Sequence, residues 1–271
     1  VEFITKIGNV IPLSLQFIKP KVTLLHYNVP PDKTFFQCCV AIVGSRRMTS
    51  YGRRVLERLV PPLVTAGASI VSGFMYGVDN DAHRIALECG GKCIAVLGWG
   101  LSWVKLPVNP NFLIISEYED DQKPQLWMFP KRNRIIAGLS EAVVVIEAGE
   151  KSGSIITADW AFKYGKKLYA VPGPITSSVS VGTNNLIQAG KAKILINAND
   201  VLKDMGLGVV KEPDIRQNKF PILTCLFKEP MTPDELAVTL HRDVSTVSSE
   251  LSLLELQGLV YEENGKYAST N

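Results

Sequence analysis

Val40-Ala41-Ile42-Val43-Gly44-Ser45-Arg46 is a short apolar run that stops on a glycine, a hydroxyl and a cation. The same design recurs along the chain. Apolar runs at residues 69–72, 93–97, 113–115, 142–146, 168–171 and 194–196 alternate with helical patterns such as 51–66, 78–89 and 155–164. Strands of this length between helices predict an α/β fold, a Rossmann-like doubly wound, mainly parallel sheet covered on both faces. Most of these runs end in residues that let backbone or hydroxyl approach a ligand: Gly44-Ser45, Ser72-Gly73, Gly98 and Gly100, Gly149, and Pro172-Gly173. In open parallel sheets ligands bind outside the carboxyl ends of the strands, beside helix N-termini that favour anions. A single glycine in a strand-to-helix turn has an equally good structural reading; several at one edge favour the ligand.

Cofactor fingerprints are missing from that edge. Gly44-Ser45-Arg46-Arg47-Met48 stands where a dinucleotide-binding G-x-G-x-x-G would be, and no G-x-x-x-x-G-K-[ST] occurs, so no cofactor is expected.

The 271 residues suffice for one large and one small domain, and 46% hydrophobic with 20% charged residues excludes a disordered chain. Without a bilayer-length apolar run or the basic start of a signal peptide, a cytoplasmic protein that does not engage membranes is expected. The net charge of +3 is too small to announce a nucleic-acid binder, but it is unevenly distributed. Residues 215–271 carry five Lys/Arg and eight Asp/Glu, leaving +6 on the remainder, so attraction for phosphate belongs to the larger part. Cys38, Cys39, Cys89, Cys93 and Cys225 read as reduced thiols; Cys89 and Cys93 lack neighbouring ligands for a metal.

Four segments are predicted: a lead-in at 1–36, the α/β domain at 37–205, a linker at 206–217 with Gly206, Gly208 and Pro213, and a module at 218–271. The last has helices near 221–228, from Thr232-Pro233-Asp234-Glu235, and near 244–257, then a hairpin around Asn264-Gly265, which together make a winged helix-turn-helix. Its third helix offers Val244-Ser245-Thr246-Val247-Ser248-Ser249-Glu250, with no cation for a phosphate or base edge, and so favours contact with protein over DNA.

Chemistry concentrates at three places. Arg46, with Ser45, follows the first strand and suits a phosphate. Phe129-Pro130-Lys131-Arg132-Asn133-Arg134 packs an aromatic, an amide and three cations ahead of a buried strand, a combination suited to stacking a base and gripping the backbone of a single strand; the competing reading makes Phe129 core and Asn133 a cap. Ser152, Gly153, Ser154 and Thr157 open a helix, where they cap it, surround a phosphate, or both. Asp79, Asp81 and His83 suggest acid–base or metal chemistry, yet a carboxylate at a helix start with a histidine one turn on is more often structural. Neither catalytic nor metal-binding residues are expected.

Residues 40–46, Ser72-Gly73 through Gly77-Val78-Asp79 to Ala82-His83, 129–140, 152–158 and Ala170-Val171-Pro172-Gly173 fall in an order that resembles the DNA-processing protein A (DprA/Smf) family. The resemblance covers about 27–205 well and the C-terminal module more loosely. It implies a non-catalytic protein that protects single-stranded DNA in uptake and recombination, loads RecA recombinase onto it, and works as a homodimer. Carried onto this chain, the DNA or phosphate contacts are Gly44, Ser45, Arg46, Gly73, Phe129, Lys131, Arg132, Asn133, Arg134, Ser152, Gly153, Ser154 and Thr157.

The chain departs from the family in three ways. The helical N-terminal module of many members is not recognisable, and a chain beginning with Val is expected to be a fragment. Leu106-Pro107-Val108-Asn109-Pro110-Asn111-Phe112 runs almost at once into the next strand, where the family usually has a further helical segment, and Met75-Tyr76 replaces small or basic residues. The alternative is an enzyme acting on a nucleotide or nucleoside phosphate at the same edge. The related cytokinin-activating phosphoribohydrolases use P-G-G-x-G-T-x-x-E, whereas here 147–158 lacks the glycine pair and the downstream Glu. A third reading is a regulator that binds duplex DNA through the winged helix.

Overall fold

In the computed structural model, which describes residues 6–7, 11–105, 109–208 and 221–270, the apolar runs are strands that share their side chains between two buried faces. Two units form, Val1–Val210 and Lys211–Asn271. The first runs β1 (Lys6–Ile7), β2 (His26–Tyr27), β3 (Cys39–Val43), α1 (Ser50–Thr65), β4 (Ser69–Ser72), α2 (Val78–Glu88), β5 (Cys93–Leu97), β6 (Phe112–Ser116), α3 (Met128–Leu139), β7 (Ala142–Val145), α4 (Gly153–Lys163), β8 (Lys167–Ala170), α5 (Val181–Gln188), β9 (Lys193–Ile194) and α6 (Ala198–Asp204).

Strand order among the described residues is β1-β2-β6-β5-β4-β3-β7-β8-β9, antiparallel only where β2 meets β1 and β6. From β3 the chain winds outward through β4, β5 and β6, then returns to lay β7 on the other side of β3, with Val43 beside Val145. The β3–β7 junction is therefore the point where the winding reverses, which opens a crevice at the strand ends.

Period-two alternation decides which helix covers which side chain. Val40, Ile42, Ile70, Ala95 and Val144 pack with Leu56, Leu59, Val60 and Leu63 of α1 and with residues of α2 and α6. Ala41, Val43, Val71, Val96 and Val145 point the other way, against Ile135, Ile136 and Leu139 of α3 and Ala158 and Ala161 of α4. Thr49 caps α1, its side chain accepting from the Gly52 N–H. The lead-in, illegible in the sequence, completes the second face: Leu15, Ile18, Val22, Leu25 and Tyr27 are all buried there.

Val201 lies in α6, because Val201 and Leu202 bury against the first face and Asn197 with Asp200 forms a reciprocal cap. The residues expected as a linker fall partly at 209–217, outside those described. Between β5 and β6 the described residues form a 3-10 turn, Leu101–Trp103, and no α-helix. No helix among the described residues is long and apolar enough to cross a membrane.

The second unit comprises α7 (Pro221–Leu226), α8 (Pro233–Leu240), α9 (Val244–Leu256) and the hairpin β10 (Val260–Glu263) with β11 (Lys266–Ser269), a winged helix. Ile222, Leu226, Leu236, Val247, Leu251 and Leu254 form its core.

Two buried ionisable groups hold the first unit and give it testable behaviour. Arg134, read as a DNA contact, is 1% exposed. Its guanidinium donates to Glu117 Oε1 at 3.1 Å and Oε2 at 2.6 Å, and its Nε donates to the Pro20 carbonyl at 3.2 Å. A bidentate pair with its guanidinium fully buried leaves a buried charge when the carboxylate is removed. Glu117→Gln is expected to destabilise the unit by about 3 kcal/mol in denaturant unfolding; a loss below about 1 kcal/mol, the range of a solvated pair, would show the ion pair to be dispensable. His83 is buried among aromatic rings, 5.2 Å from Phe112 and 6.4 Å from Phe74, and burial pushes it from 6.5 to about 4. The unfolded chain then binds more protons between those values, so His83 costs stability as pH falls through that window. Asp79, raised by burial to about 6, acts in the opposite sense. Comparing wild type with His83→Phe isolates the histidine: the variant is expected to lose less stability than wild type between pH 6.5 and 4, and parallel stability curves would refute this assignment.

Candidate nucleic-acid interface

The reversal at β3–β7 sets the site's position, and the loops leaving the strands build it. Gly44 must be small because a Cβ there would lie 2.6 Å from Val78 Cγ2 and 3.0 Å from the Glu147 carbonyl oxygen. Ser45 Oγ accepts from the Arg47 N–H at 3.0 Å, turning the chain so that Arg46 stands exposed. Across the crevice, Glu147 is buried, and its carboxylate takes the Thr49 N–H at 2.9 Å and the Thr49 hydroxyl, fixing the start of α1. The β4–α2 loop crosses over Ser45: Val78 N–H donates to the Ser45 carbonyl at 3.2 Å, and Gly77, at φ 78°, has no room for a side chain there. Phe74 in the same loop holds a left-handed φ of 57°, a strained conformation for a bulky residue.

Helix α3 supplies the centre, and its phase decides what each residue of 129–134 does. Phe129 is half-buried; its ring lies 5.8 Å from that of Trp99, and the Arg46 Cζ sits over it at 5.5 Å. One turn on, Arg132 is 2% exposed. Its Nη1 donates to the Gly73 carbonyl at 2.8 Å and to the Val96 carbonyl, and its Nε donates to Asn133 Oδ1 at 3.1 Å. Asn133 Nδ2 donates onward to the Gly153 carbonyl at 3.0 Å, so β4, β5, α3 and the start of α4 are joined through two side chains. A Cβ at Gly73 would stand 2.6 Å from Arg132 Nη2 and 2.7 Å from Asp79 Oδ2, so one of these side chains would have to shift to admit it.

Burial pushes the Arg132 guanidinium down to about 10; Asp79 opposes that shift and Arg46 adds to it. Asp79 is raised to about 6 by burial, against the pull of Arg132 and of hydrogen bonds from Ser72, Met75 and Gly73. Arg46 and Arg132 are thus near enough to raise each other's electrostatic cost, an arrangement that an arriving anion relieves.

The open N-terminus of α4 borders this cluster. Ser152 caps it, accepting from the Ser154 N–H at 3.3 Å and sharing a 2.8 Å hydroxyl contact with Ser154. Gly153 is exposed, with nothing within 4 Å of where its Cβ would be, while Ser154 and Thr157 are 6% and 1% exposed. Capping and anion binding remain compatible there.

Of the cations at 131–134, only Lys131 faces solvent, with its Nζ 5.4 Å from the Tyr118 ring and 5.7 Å from Trp127. Arg132 and Arg134 are turned inward because their partners, the Gly73 and Val96 carbonyls and Glu117, are brought to them by the sheet. Trp99 and Glu147 were not singled out by sequence reasoning; a tryptophan between Gly98 and Gly100 at a strand end was the available signal. Asp79, Asp81 and His83 do not converge, and no cluster of metal-ligating residues forms among the described residues.

Two family models match the chain: DNA recombination-mediator protein A over residues 2–206 and the DprA winged helix domain over 217–266. Protein Smf of Escherichia coli is 34% identical over 250 residues, covering 84% of this chain and 67% of that protein. The DNA processing protein DprA of Streptococcus pneumoniae is 40% identical over 201 residues, covering 71% of this chain and 70% of its own. Against Protein Smf of Synechocystis, 36% identical, the match takes in 80% of this chain but 61% of the relative, so the chain spans well under the full length of some relatives. The X-ray structure of the Streptococcus pneumoniae protein aligns with a TM-score of 0.66 at 36% identity, covering 75% of this chain and 74% of that one. A DNA processing protein A from Helicobacter pylori, whose structure was described for its single-stranded DNA binding mode, aligns with a TM-score of 0.67 at 32% identity, covering 75% and 96%. By sequence, by fold and by the order of its strand-end motifs, the chain belongs to the DNA recombination-mediator protein A family.

Proposed function

We propose that this protein captures single-stranded DNA at the carboxyl edge of its sheet without chemically altering it. The observation that carries the reading is the Arg46 guanidinium over Phe129, backed by Trp99 and bordered by the open start of α4. Arg46 and Lys131 contact phosphates, Phe129 stacks a base, and Ser152 with Gly153 offers backbone N–H groups. Arg132, Asn133, Gly73, Ser154 and Thr157 hold this surface in shape, and Arg134 anchors α3 from behind. Gly44 and Ser45 set the turn that presents Arg46.

Binding is favoured over nucleotide hydrolysis because the two buried carboxylates of this edge are already engaged. Glu147 accepts from Thr49, and Asp79 Oδ2 accepts from the Gly73 and Met75 N–H groups at 3.2 and 3.4 Å. What is described for the Helicobacter pylori protein supports capture of single strands, and the family resemblance supports a cytoplasmic role in DNA uptake and recombination, with delivery of the strand to RecA recombinase. Homodimer formation has a physical candidate in the edge strand β9, where Ile194 is 48% exposed and the adjoining Ile196 70%. The winged helix suits protein contact: α9 exposes Leu253 and Leu256, and Arg242, just before it, is engaged by Glu250 at 2.6 Å.

Fluorescence anisotropy with labelled oligothymidine over a salt series tests the capture site. Arg46→Ala is expected to weaken binding about tenfold or more and to flatten the logarithmic salt slope by about 0.7. Arg132→Met is expected to lower thermal stability as well as binding, because the Gly73 and Val96 carbonyls lose their donor. Binding indifferent to Arg46→Ala, or equally tight to duplex competitor, would overturn the reading. In a RecA filament assay on strands coated with single-strand-binding protein, the full chain is expected to shorten the nucleation lag; an unchanged lag would remove the delivery role.

A further inference from the structure

A second aromatic–cation group lies on the other side of the first turn of α3. Trp127 immediately precedes the helix and is 54% exposed. Its ring is held edge-on by Tyr118, with centroids 6.1 Å apart at 81°, and its indole N–H donates to Gln125 Oε1 at 2.6 Å. Lys131, one turn on, spans both rings. Tyr118 is 8% exposed and fixed in the fold, so it buttresses the indole rather than competing for a ligand. The fold makes little use of this indole: nearly half its area is buried, yet it caps nothing.

We propose that Trp127 is a second base-stacking position, with Tyr118 as its positioning residue and Lys131 as the cation that moves from the rings to the adjoining phosphate. The proposal rests on the capture reading above and lengthens its footprint. Trp127 and Phe129 are two residues apart, so their Cα atoms are separated by at most about 7 Å, and helical phase sends their side chains to different sides of the turn. A strand crossing the N-terminus of α3 meets Phe129 with Arg46 on one side and Trp127 with Lys131 on the other. Indole faces suit any base, and the lysine supplies the charge that a purely protein-docking patch would not need.

Charge also sets the limit of the track. Trp103 is 49% exposed, with Lys123 5.5 Å from its ring, and superficially resembles Trp127. Its indole N–H is bonded to the Asp121 carbonyl at 3.0 Å, in a run holding Glu119, Asp120 and Asp121, with Glu119 76% exposed at its side chain. Those carboxylates repel phosphate, so Trp103 lies outside the footprint and serves as the internal control.

The test is affinity against strand length, with oligothymidines from about 4 to 16 nucleotides, read by anisotropy and by quenching of tryptophan fluorescence. Trp127→Ala is expected to lose about tenfold in affinity for the longer strands and little for the shortest, so that the gain with length flattens. Trp127→Phe should restore most of that gain while abolishing part of the fluorescence quenching, and Trp103→Ala should behave as wild type. Wild-type affinity in Trp127→Ala at every length, with quenching intact in Trp127→Phe, would overturn the proposal while leaving capture at Arg46 standing. Equal losses in Trp103→Ala and Trp127→Ala would also overturn it, since the carboxylate boundary would then be absent. Failure of the wild-type chain to bind any strand defeats the capture reading itself, and this extension with it.

Discussion

A buried guanidinium is expensive unless every donor finds an acceptor, and this requirement at Arg132 organises the carboxyl edge of the sheet. The Gly73 and Val96 carbonyls accept from Nη1 and the Asn133 side chain from Nε, which draws the ends of β4 and β5, the first turns of α3 and the start of α4 into one arrangement. Glycine at 73 lets the guanidinium pass over it without displacing either side chain. Asp79 has to be near, although burial raises its pKa to about 6, because its charge lessens the cost of holding Arg132 ionised. Everything that faces solvent on the first turns of α3 inherits its position from these contacts. Phe129 is three residues before Arg132 and Lys131 one before it, so a helix rotated to expose Arg132 would withdraw the ring from Arg46.

The architecture was legible because its signal is local. Runs such as Val40–Val43 are buried on both faces and therefore read as continuous apolar strands, and the glycines that follow mark the edge where they end. The roles within 129–134 were not legible, for a physical reason. From Arg132 through Leu139 every residue of α3 is buried, so the helix has no polar stripe by which to tell an outward cation from an inward one. The partners that decide it, Glu117 for Arg134 and the carbonyls of Gly73 and Val96 for Arg132, lie 17, 59 and 36 residues away and are assembled only by the sheet. The lead-in escaped for a related reason: Leu15 ends a single 3-10 turn, and Ile18, Val22 and Leu25 bury outside helix and strand, so no period announces them.

Between β5 and β6 the described residues include a 3-10 turn, Leu101–Trp103, and Trp99, just past the end of β5, packs its ring against Phe129 to give this part of the edge an aromatic wall. The left-handed Phe74 is a further sign that this edge is constrained by packing rather than by local preference, since its loop must bring backbone N–H groups to Asp79 and a glycine over Ser45.

Cations and rings at such an edge make different demands on a ligand, and the difference bears on selectivity. In the proposed capture, Arg46 and Lys131 attract phosphates of any nucleic acid, with an affinity that salt erodes by releasing counterions. A stacking ring requires a free base face, which a duplex buries within its own stack and a single strand presents at no unpairing cost. On that reading, preference for single strands resides in the aromatic side chains, and affinity at low salt in the guanidinium and ammonium groups. Because Arg46 lies over Phe129 and Lys131 over Trp127, the proposed capture has each cation exchange its ring for a phosphate as a base takes the vacated face. The two contributions are coupled in space but separable in chemistry, so rising salt should weaken binding to all strands while widening the margin between single strand and duplex.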